Sequence, residues 1–291
     1  MSAGVPQRYS GGQKAAAVLT VEVTSPPASR LRVGITLPQF RHQAGPALDV
    51  ARRAEATGLD GVFVFDHLWP LGQPDRPALH WLGLLGALAV ETERLTLGPL
   101  VARVGLVPDA VLVHGLVSLQ RMLGPRLVAA LGTGDEGNRS ENEAYGLGFR
   151  PFAERLAALA SCCRQLGDAG VRTWVGGRSP AVRRATADAD GWNGWGSDPA
   201  TFEAEAGGVA PGRELTWGGQ VLIGRTRSDA DAKLRAHGPR PGLVAGTIAD
   251  LRGHFAALSA AGASWAICAP LDIGTDADAV EILAEAAAGS R

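Results

Sequence analysis

Leu31-Arg32-Val33-Gly34-Ile35-Thr36-Leu37-Pro38-Gln39-Phe40 is the stretch on which the fold turns. Its first seven residues are mostly apolar on consecutive positions, as a parallel strand buried on both faces should be. The residues after that run decide between two architectures. A doubly wound open sheet wants Gly-x-Gly-x-x-Gly after its first strand, where glycines bring a pyrophosphate onto a helix N-terminus. The residues there are Leu37-Pro38-Gln39-Phe40, so that architecture loses its main support.

Outward from this stretch the same kind of run recurs at 61–66, 95–101, 126–132, 173–176, 192–195, 219–223 and 265–271, making eight strand candidates in all. Helix-period segments lie between them. Phe152, Leu156, Leu159, Cys163 and Leu166 form one apolar face; Ile248, Leu251, Phe255 and Leu258 form another, and Leu112, Leu116, Leu119 and Leu123 a third. Thr247 with Asp250, Ser228 with Asp231 and Thr275 with Asp278 each set a hydroxyl three residues before a carboxylate, close to a capping box. Strands alternating with helices eight times predict an α/β chain folded as a single (β/α)8 TIM barrel.

Residues 1–30 read differently. They are rich in Ser, Gly, Pro and Ala with Ser10-Gly11-Gly12 and Pro26-Pro27 as breakers, so a flexible arm with a stray strand around 18–23 is expected, and the barrel should occupy 31–291. A chain of 291 residues can bury roughly 75% of its unfolded surface and needs no disulfide or metal staple. Lys+Arg 28 against Asp+Glu 29 gives a net charge of -1, which argues against nucleic acid as a partner. Cys162, Cys163 and Cys268 offer neither a disulfide framework nor a C-x-x-C spacing. No apolar run approaches the roughly 18 residues of a membrane span, and the apolar segment 15–23 lacks a basic n-region and a cleavage site. No membrane partner is expected, and the expected compartment is the cytoplasm.

In a barrel the chemistry belongs at the carboxyl ends of the strands. After the second strand stands Phe65-Asp66-His67-Leu68-Trp69-Pro70. Asp beside His can orient an imidazole and tune its basicity; a polar strand end is the plain alternative. Leu97-Gly98-Pro99-Leu100-Val101 after the third strand signals a bulge or a turn. After the fourth, Gly132-Thr133-Gly134-Asp135-Glu136-Gly137-Asn138 combines backbone access with two carboxylates, either an acid-base pair or solvated charges. Val175-Gly176-Gly177-Arg178-Ser179-Pro180 after the fifth is the most specific. Two glycines free backbone amides, Ser179 is a natural N-cap, Pro180 suits the first helical position and Arg178 adds charge, together an anion site suited to phosphate. A plain strand-to-helix turn is the alternative.

The strings Asp66-His67-Leu68, Arg94-Leu95-Thr96-Leu97-Gly98, Gly124-Pro125-Arg126-Leu127-Val128, Leu131-Gly132-Thr133-Gly134, Val175-Gly176-Gly177-Arg178-Ser179-Pro180 and Asp190-Gly191-Trp192-Asn193 occur in this order. In order and spacing, over about 31–271, the chain resembles the bacterial luciferase-like monooxygenase superfamily, and within it the branch using the deazaflavin coenzyme F420. The resemblance implies a TIM barrel with its flavin at the carboxyl ends of the strands. It implies Asp66 and His67 flanking the reactive ring, with His67 as proton donor or acceptor. It implies a non-prolyl cis peptide at Leu100-Val101, Asp135 where relatives carry a glutamate, Asn138 on their asparagine, and Gly176, Gly177 and Arg178 on the cofactor phosphate. Asp135 is shorter than that glutamate and Glu136 adjoins it, so either carboxylate could act. The stretch 195–217 is brief where many members carry a long insertion.

The resemblance thus implies an F420-dependent oxidoreductase passing a hydride between the deazaflavin and a small organic substrate. An FMN-dependent monooxygenase using molecular oxygen is the alternative, and a flavin-binding protein without turnover a third reading. Of the cationic residues only Lys14 and Lys233 are lysine; arginine codons are GC-rich, and bacteria with GC-rich genomes commonly use the deazaflavin. An intact Asp66-His67 pair speaks against pure storage, and the absence of a His/Asp ligand set at the strand ends against a zinc hydrolase. Superfamily members are often dimers, so the resemblance allows a homodimer.

Overall fold

The computed structural model describes residues 30–276 and 278–289. The expected arm and its stray strand therefore lie outside the described residues, save Arg30. Among the described residues ten strands run β1 (Arg32–Thr36), β2 (Gly61–Val64), β3 (Thr96–Pro99), β4 (Ala102–Arg103), β5 (Ala129–Gly132), β6 (Thr173–Gly176), β7 (Gly191–Trp195), β8 (Glu214–Gly224), β9 (Val244–Thr247) and β10 (Trp265–Pro270). All pairs are parallel, in the order β3-β2-β1-β10-β8-β7-β6-β5-β4. The Leu97–Leu127 bridge and the Val128 N–H on Leu97 O at 2.9 Å join β3 to the residues entering β5 and close the barrel. The barrel expected from the sequence is what the chain forms.

Two strand details differ from the sequence reading. The third barrel strand is broken into β3 and β4 by a cis peptide between Leu100 and Val101, the feature the resemblance implied. Residues Val244–Thr247 form an extra strand on the far end of β8, at Val221–Gly224. Four residues beside a Gly-rich loop carry too little periodicity to be read as a strand.

The helix faces come out mostly as spaced. Leu112, Leu116, Leu119 and Leu123 are all buried on the helix Asp109–Leu123, and Ile248, Leu251, Phe255 and Leu258 on Ile248–Ala260. Phe152 departs from its face: it opens the helix Phe152–Asp168 and stands 42% exposed, lining a cavity at the carboxyl ends of the strands. Thr247 and Asp250 form the expected capping box. The other two helix starts are displaced. Thr226, not Ser228, caps Arg227–His237, its side chain accepting from Asp229 N–H; Thr275 bonds back to Asp272 O while the last helix starts at Ala279. Several hydroxyl–carboxylate pairs compete near each start, and strand exit geometry selects among them.

Inside the barrel a separate core forms from Phe63, Leu100, Val128, Ala130, Trp174, Trp265 and Ile267. Phe63, Trp174 and Trp265 meet pairwise with ring centroids 5.8–5.9 Å apart. Rings this large fit because neighbouring strand positions are glycine. A Cβ on Gly34 would lie 2.9 Å from Phe63, and one on Gly191 2.6 Å from Trp174. Below the rings Glu214 takes Trp174 Nε1–H at 2.9 Å and pairs with Arg32 and Arg172. This aromatic floor closes the amino end, so only the carboxyl end is open to a ligand.

Candidate functional site

Gln39, from the stretch that excluded the dinucleotide fold, fastens the carboxyl ends of the first two strands. Its side chain is fully buried, donates to Phe65 O and accepts from Phe65 N–H, both at 2.7 Å. Phe40 then stacks on Phe65 at 6.2 Å. That pairing holds the next two residues, Asp66 and His67, at the lip of a cavity of about 940 Å³ at the carboxyl ends of the strands. The volume lies in the range of small-molecule and cofactor sites.

The sequence-predicted residues converge there. Asp66, His67, Leu100, Val101, Asp135, Glu136, Asn138, Gly176, Gly177 and Arg178 all line the cavity. They are not equally available. Asp135 accepts Gly137 N–H at 3.0 Å while its own N–H donates to Asn138 Oδ1 at 2.9 Å, a capping box that starts a short 3-10 turn. Glu136 is exposed and pairs with Arg139, whose hydrogen bond holds its carboxyl below the usual range. Neither carboxylate touches His67; the carboxylate that does was not among the sequence candidates.

That carboxylate is Glu141, on the short helix Arg139–Ala144. Its side chain is 0% exposed, with Oε2 at 3.2 Å from His67 Nδ1 and at 2.7 Å from Arg103 Nη1, and Oε1 accepting Leu68 N–H. Arg103 in turn grips Asp66, giving its backbone N–H at 2.6 Å and its Nε–H at 2.9 Å to Asp66 Oδ2. Two buried carboxylates thus flank one guanidinium. Burial pushes the Asp66 carboxyl up against the pull of Arg103. Burial also opposes ionisation of Glu141, but the His67 hydrogen bond and the Arg103 charge outweigh it, and that carboxyl stands below its ordinary value. Arg103 and Glu141 escape sequence reading because Arg139-Ser140-Glu141-Asn142-Glu143 looks like a solvated charged turn, and Arg103 like a lone loop cation.

The floor of the cavity is made by the cis Leu100–Val101 segment. Val101 lies against two strand-end glycines: a Cβ on Gly132 would fall 2.5 Å from Val101 Cγ2, and one on Gly176 2.4 Å from Val101 Cγ1. Gly176 therefore gives room to the bulge rather than only an amide to a ligand.

At the β6 turn Gly177 has φ +138°, a region that L side chains rarely adopt. Its N–H donates to Asn193 O at 3.2 Å, so it is not free as the sequence reading had it. Ser179 caps the following turn by accepting Val182 N–H at 3.2 Å, with Pro180 at the first helical position as expected. Arg178 is steadied through its Nε by Glu205 Oε1 at 2.7 Å. The remaining cation-facing wall includes Arg155, whose guanidinium is held by the Thr133 and Gly134 carbonyls, each at 2.7 Å. Trp195 and Gln220, from β7 and β8, complete the lining. Among the described residues no cluster of three or more His, Cys, Asp or Glu is set to hold a metal, and no helix is long and apolar enough to cross a membrane.

Residues 28–166 match the family model of luciferase-like monooxygenases. A protein of Nakamurella multipartita named F420-dependent glucose-6-phosphate dehydrogenase is 34% identical over 146 residues, 46% of this chain and 39% of the relative. The chain thus matches about two fifths of the length of such curated relatives. An F420-dependent secondary alcohol dehydrogenase, solved with an F420-acetone adduct, superposes with a TM-score of 0.72 at 14% identity, covering 90% of this chain and 99% of that one. The coenzyme F420-dependent tetrahydromethanopterin reductase of Methanopyrus kandleri gives 0.69 at 14% identity, covering 89% and 98%. At such identity these superpositions bear on the fold.

Proposed function

We propose that this chain, whose residues 28–166 match the family model of luciferase-like monooxygenases, is an F420-dependent oxidoreductase of that family acting on a small organic substrate. The observation that carries the reading is one cavity with two unlike walls. On one side His67 is anchored by a buried carboxylate; on the other, the Gly176-Gly177-Arg178-Ser179 turn presents the Arg178 guanidinium. The residues present fit a deazaflavin. Arg178 and the helix-start turn behind Gly177 suit its phosphate. The Val101 bulge, seated on Gly132 and Gly176, offers an apolar face against which a flat ring can lie. The F420 dependence named for the curated relatives supports the same choice.

When bound, the deazaflavin supplies a ring carbon that gives or takes a hydride. The chain's own part is to orient and to handle the proton. His67 Nδ1 faces Glu141 and leaves Nε2 for the substrate side. Loss of hydride from a carbinol frees a hydroxyl proton, which His67 Nε2 accepts; in the opposite direction it returns the proton to the carbonyl oxygen. Phe40, Phe65 and Leu100 line that side of the cavity and make it apolar.

Parallel titration of the purified chain with the deazaflavin and with FMN tests the assignment. Saturable binding of the deazaflavin, with FMN much weaker, is expected. Tight FMN binding with no deazaflavin binding overturns it in favour of an oxygen-using flavin enzyme.

A further inference from the structure

Glu141 does not line the cavity, and its side chain is 0% exposed. Yet its oxygens reach only toward the residues that carry His67 and the guanidinium beside them. Oε2 stands 3.2 Å from His67 Nδ1 and 2.7 Å from Arg103 Nη1, and Oε1 takes the N–H of Leu68. A carboxylate on one imidazole nitrogen fixes the proton there and leaves the other nitrogen as the reacting one. In water a neutral imidazole prefers the opposite tautomer, with the proton on Nε2. A histidine left to itself at this lip would turn a proton, not a lone pair, toward the substrate.

Resting on the function proposed above for its catalytic consequence, we propose that Glu141 is the positioning residue of His67. It holds the neutral imidazole as the Nδ1–H tautomer with Nε2 open to the cavity. Arg103 keeps Glu141 ionised, and through Asp66 ties it to the strand end from which His67 projects. The order of contact is Asp66, Arg103, Glu141, His67, a chain that crosses from the end of β2 to the loop after β5 and back.

Two variants separate these roles. Glu141→Gln keeps one acceptor oxygen, enough for Nδ1–H but not also for Leu68 N–H. Glu141→Leu keeps similar bulk and removes both acceptors, while Arg103 and Asp66 remain as a balanced pair. The first readout needs no cofactor: ¹⁵N-histidine spectra of the full chain at about pH 8.5, where an ordinary imidazole is neutral, with His67 identified by its loss in His67→Gln. The Nδ1–H tautomer is expected in the parent and in Glu141→Gln, with movement toward Nε2–H in Glu141→Leu. The second is turnover with the deazaflavin. Glu141→Leu should lower kcat roughly tenfold to hundredfold, a part of the effect of a general acid-base group, with cofactor affinity within about twofold and Glu141→Gln recovering most of the rate. An Nε2–H tautomer in the parent, an unchanged tautomer in Glu141→Leu, or lost cofactor binding in place of lost turnover overturns the proposal. If Glu141→Leu does not fold, the parent tautomer and the Glu141→Gln rate decide. Failure of the deazaflavin to bind at all would sink the proposed function and leave the tautomer result standing.

Discussion

Val101 occupies the space that a side chain on Gly176 would need: a Cβ there would lie 2.4 Å from Val101 Cγ1. Val101 leads into β4 and Gly176 ends β6, with β5 between them, and the bulge can rest low over the barrel because positions 132 and 176 are both glycine. Gly176→Ala should therefore lift Val101 toward the cavity and lower cofactor affinity at least about tenfold, with an overpacking cost of about 1–3 kcal/mol. The double variant Gly176→Ala with Val101→Ala should restore much of the affinity. Titration of the single and double variants checks this, and a double variant no better than the single would show that Gly176 acts through its backbone.

Gly177 offers a sharper test of the phosphate wall. At φ +138° any side chain is strained, and a Cβ would also lie 3.0 Å from Val182 Cγ1, so Gly177→Ala measures the uncharged cost, about 1–3 kcal/mol for such a region. Gly177→Asp adds a carboxylate beside Arg178. Expected is a measurable loss of cofactor affinity in the alanine variant and no detectable binding in the aspartate variant, each checked for folding by circular dichroism. Equal affinities in the two variants would remove the anion from this turn.

His67 should govern rate and not retention of the cofactor. His67→Ala is expected to reduce turnover within roughly 10²–10⁴-fold while cofactor affinity falls far less. His67→Gln preserves hydrogen bonding without a titratable ring. Full activity in His67→Gln would make His67 a wall residue and pass the proton to Asp135 or Glu136, which also line the cavity.

Away from the site, Glu55 links the end of the first barrel helix to the approach to β3. Its carboxylate accepts the N–H groups of Glu93 at 2.9 Å, Arg94 at 2.6 Å and Leu95 at 3.3 Å. Burial works against the charge, yet these backbone bonds hold the carboxyl below its ordinary value. A depressed folded-state pKa means stability that is present above the unfolded value, about 4.3, and lost as pH falls through the folded one. Glu55→Gln should cost about 1 kcal/mol near neutrality and flatten the acid side of the stability profile. Chemical denaturation at several pH values measures both; an unchanged acid slope would assign the dependence to other carboxylates.

The barrel was legible because its signals are local. Eight apolar runs, the helical faces of Asp109–Leu123 and Ile248–Ala260, and the missing glycine fingerprint at Leu37-Pro38-Gln39-Phe40 each lie within a few residues of chain. So do the Ser179 cap and the Gly177 turn. The cavity-facing set was readable for the same reason, since every barrel strand must end at the same rim.

The wiring of that rim was not. Asp66 and Arg103 are 37 residues apart and His67 and Glu141 are 74 apart. Glu141 sits among residues that look solvated, and only closure of the barrel brings the loop after β5 onto the end of β2. By contrast, the Asp135 cap and the Glu136–Arg139 pair are contacts within three residues of chain. By itself the sequence determined which strand ends would carry polar chemistry, because burial follows a period of two or of 3.6 along the chain. Which carboxylate would meet the histidine was decided by the tertiary structure alone. That meeting depends on strand register and on competition for a single buried guanidinium, and no local pattern encodes either.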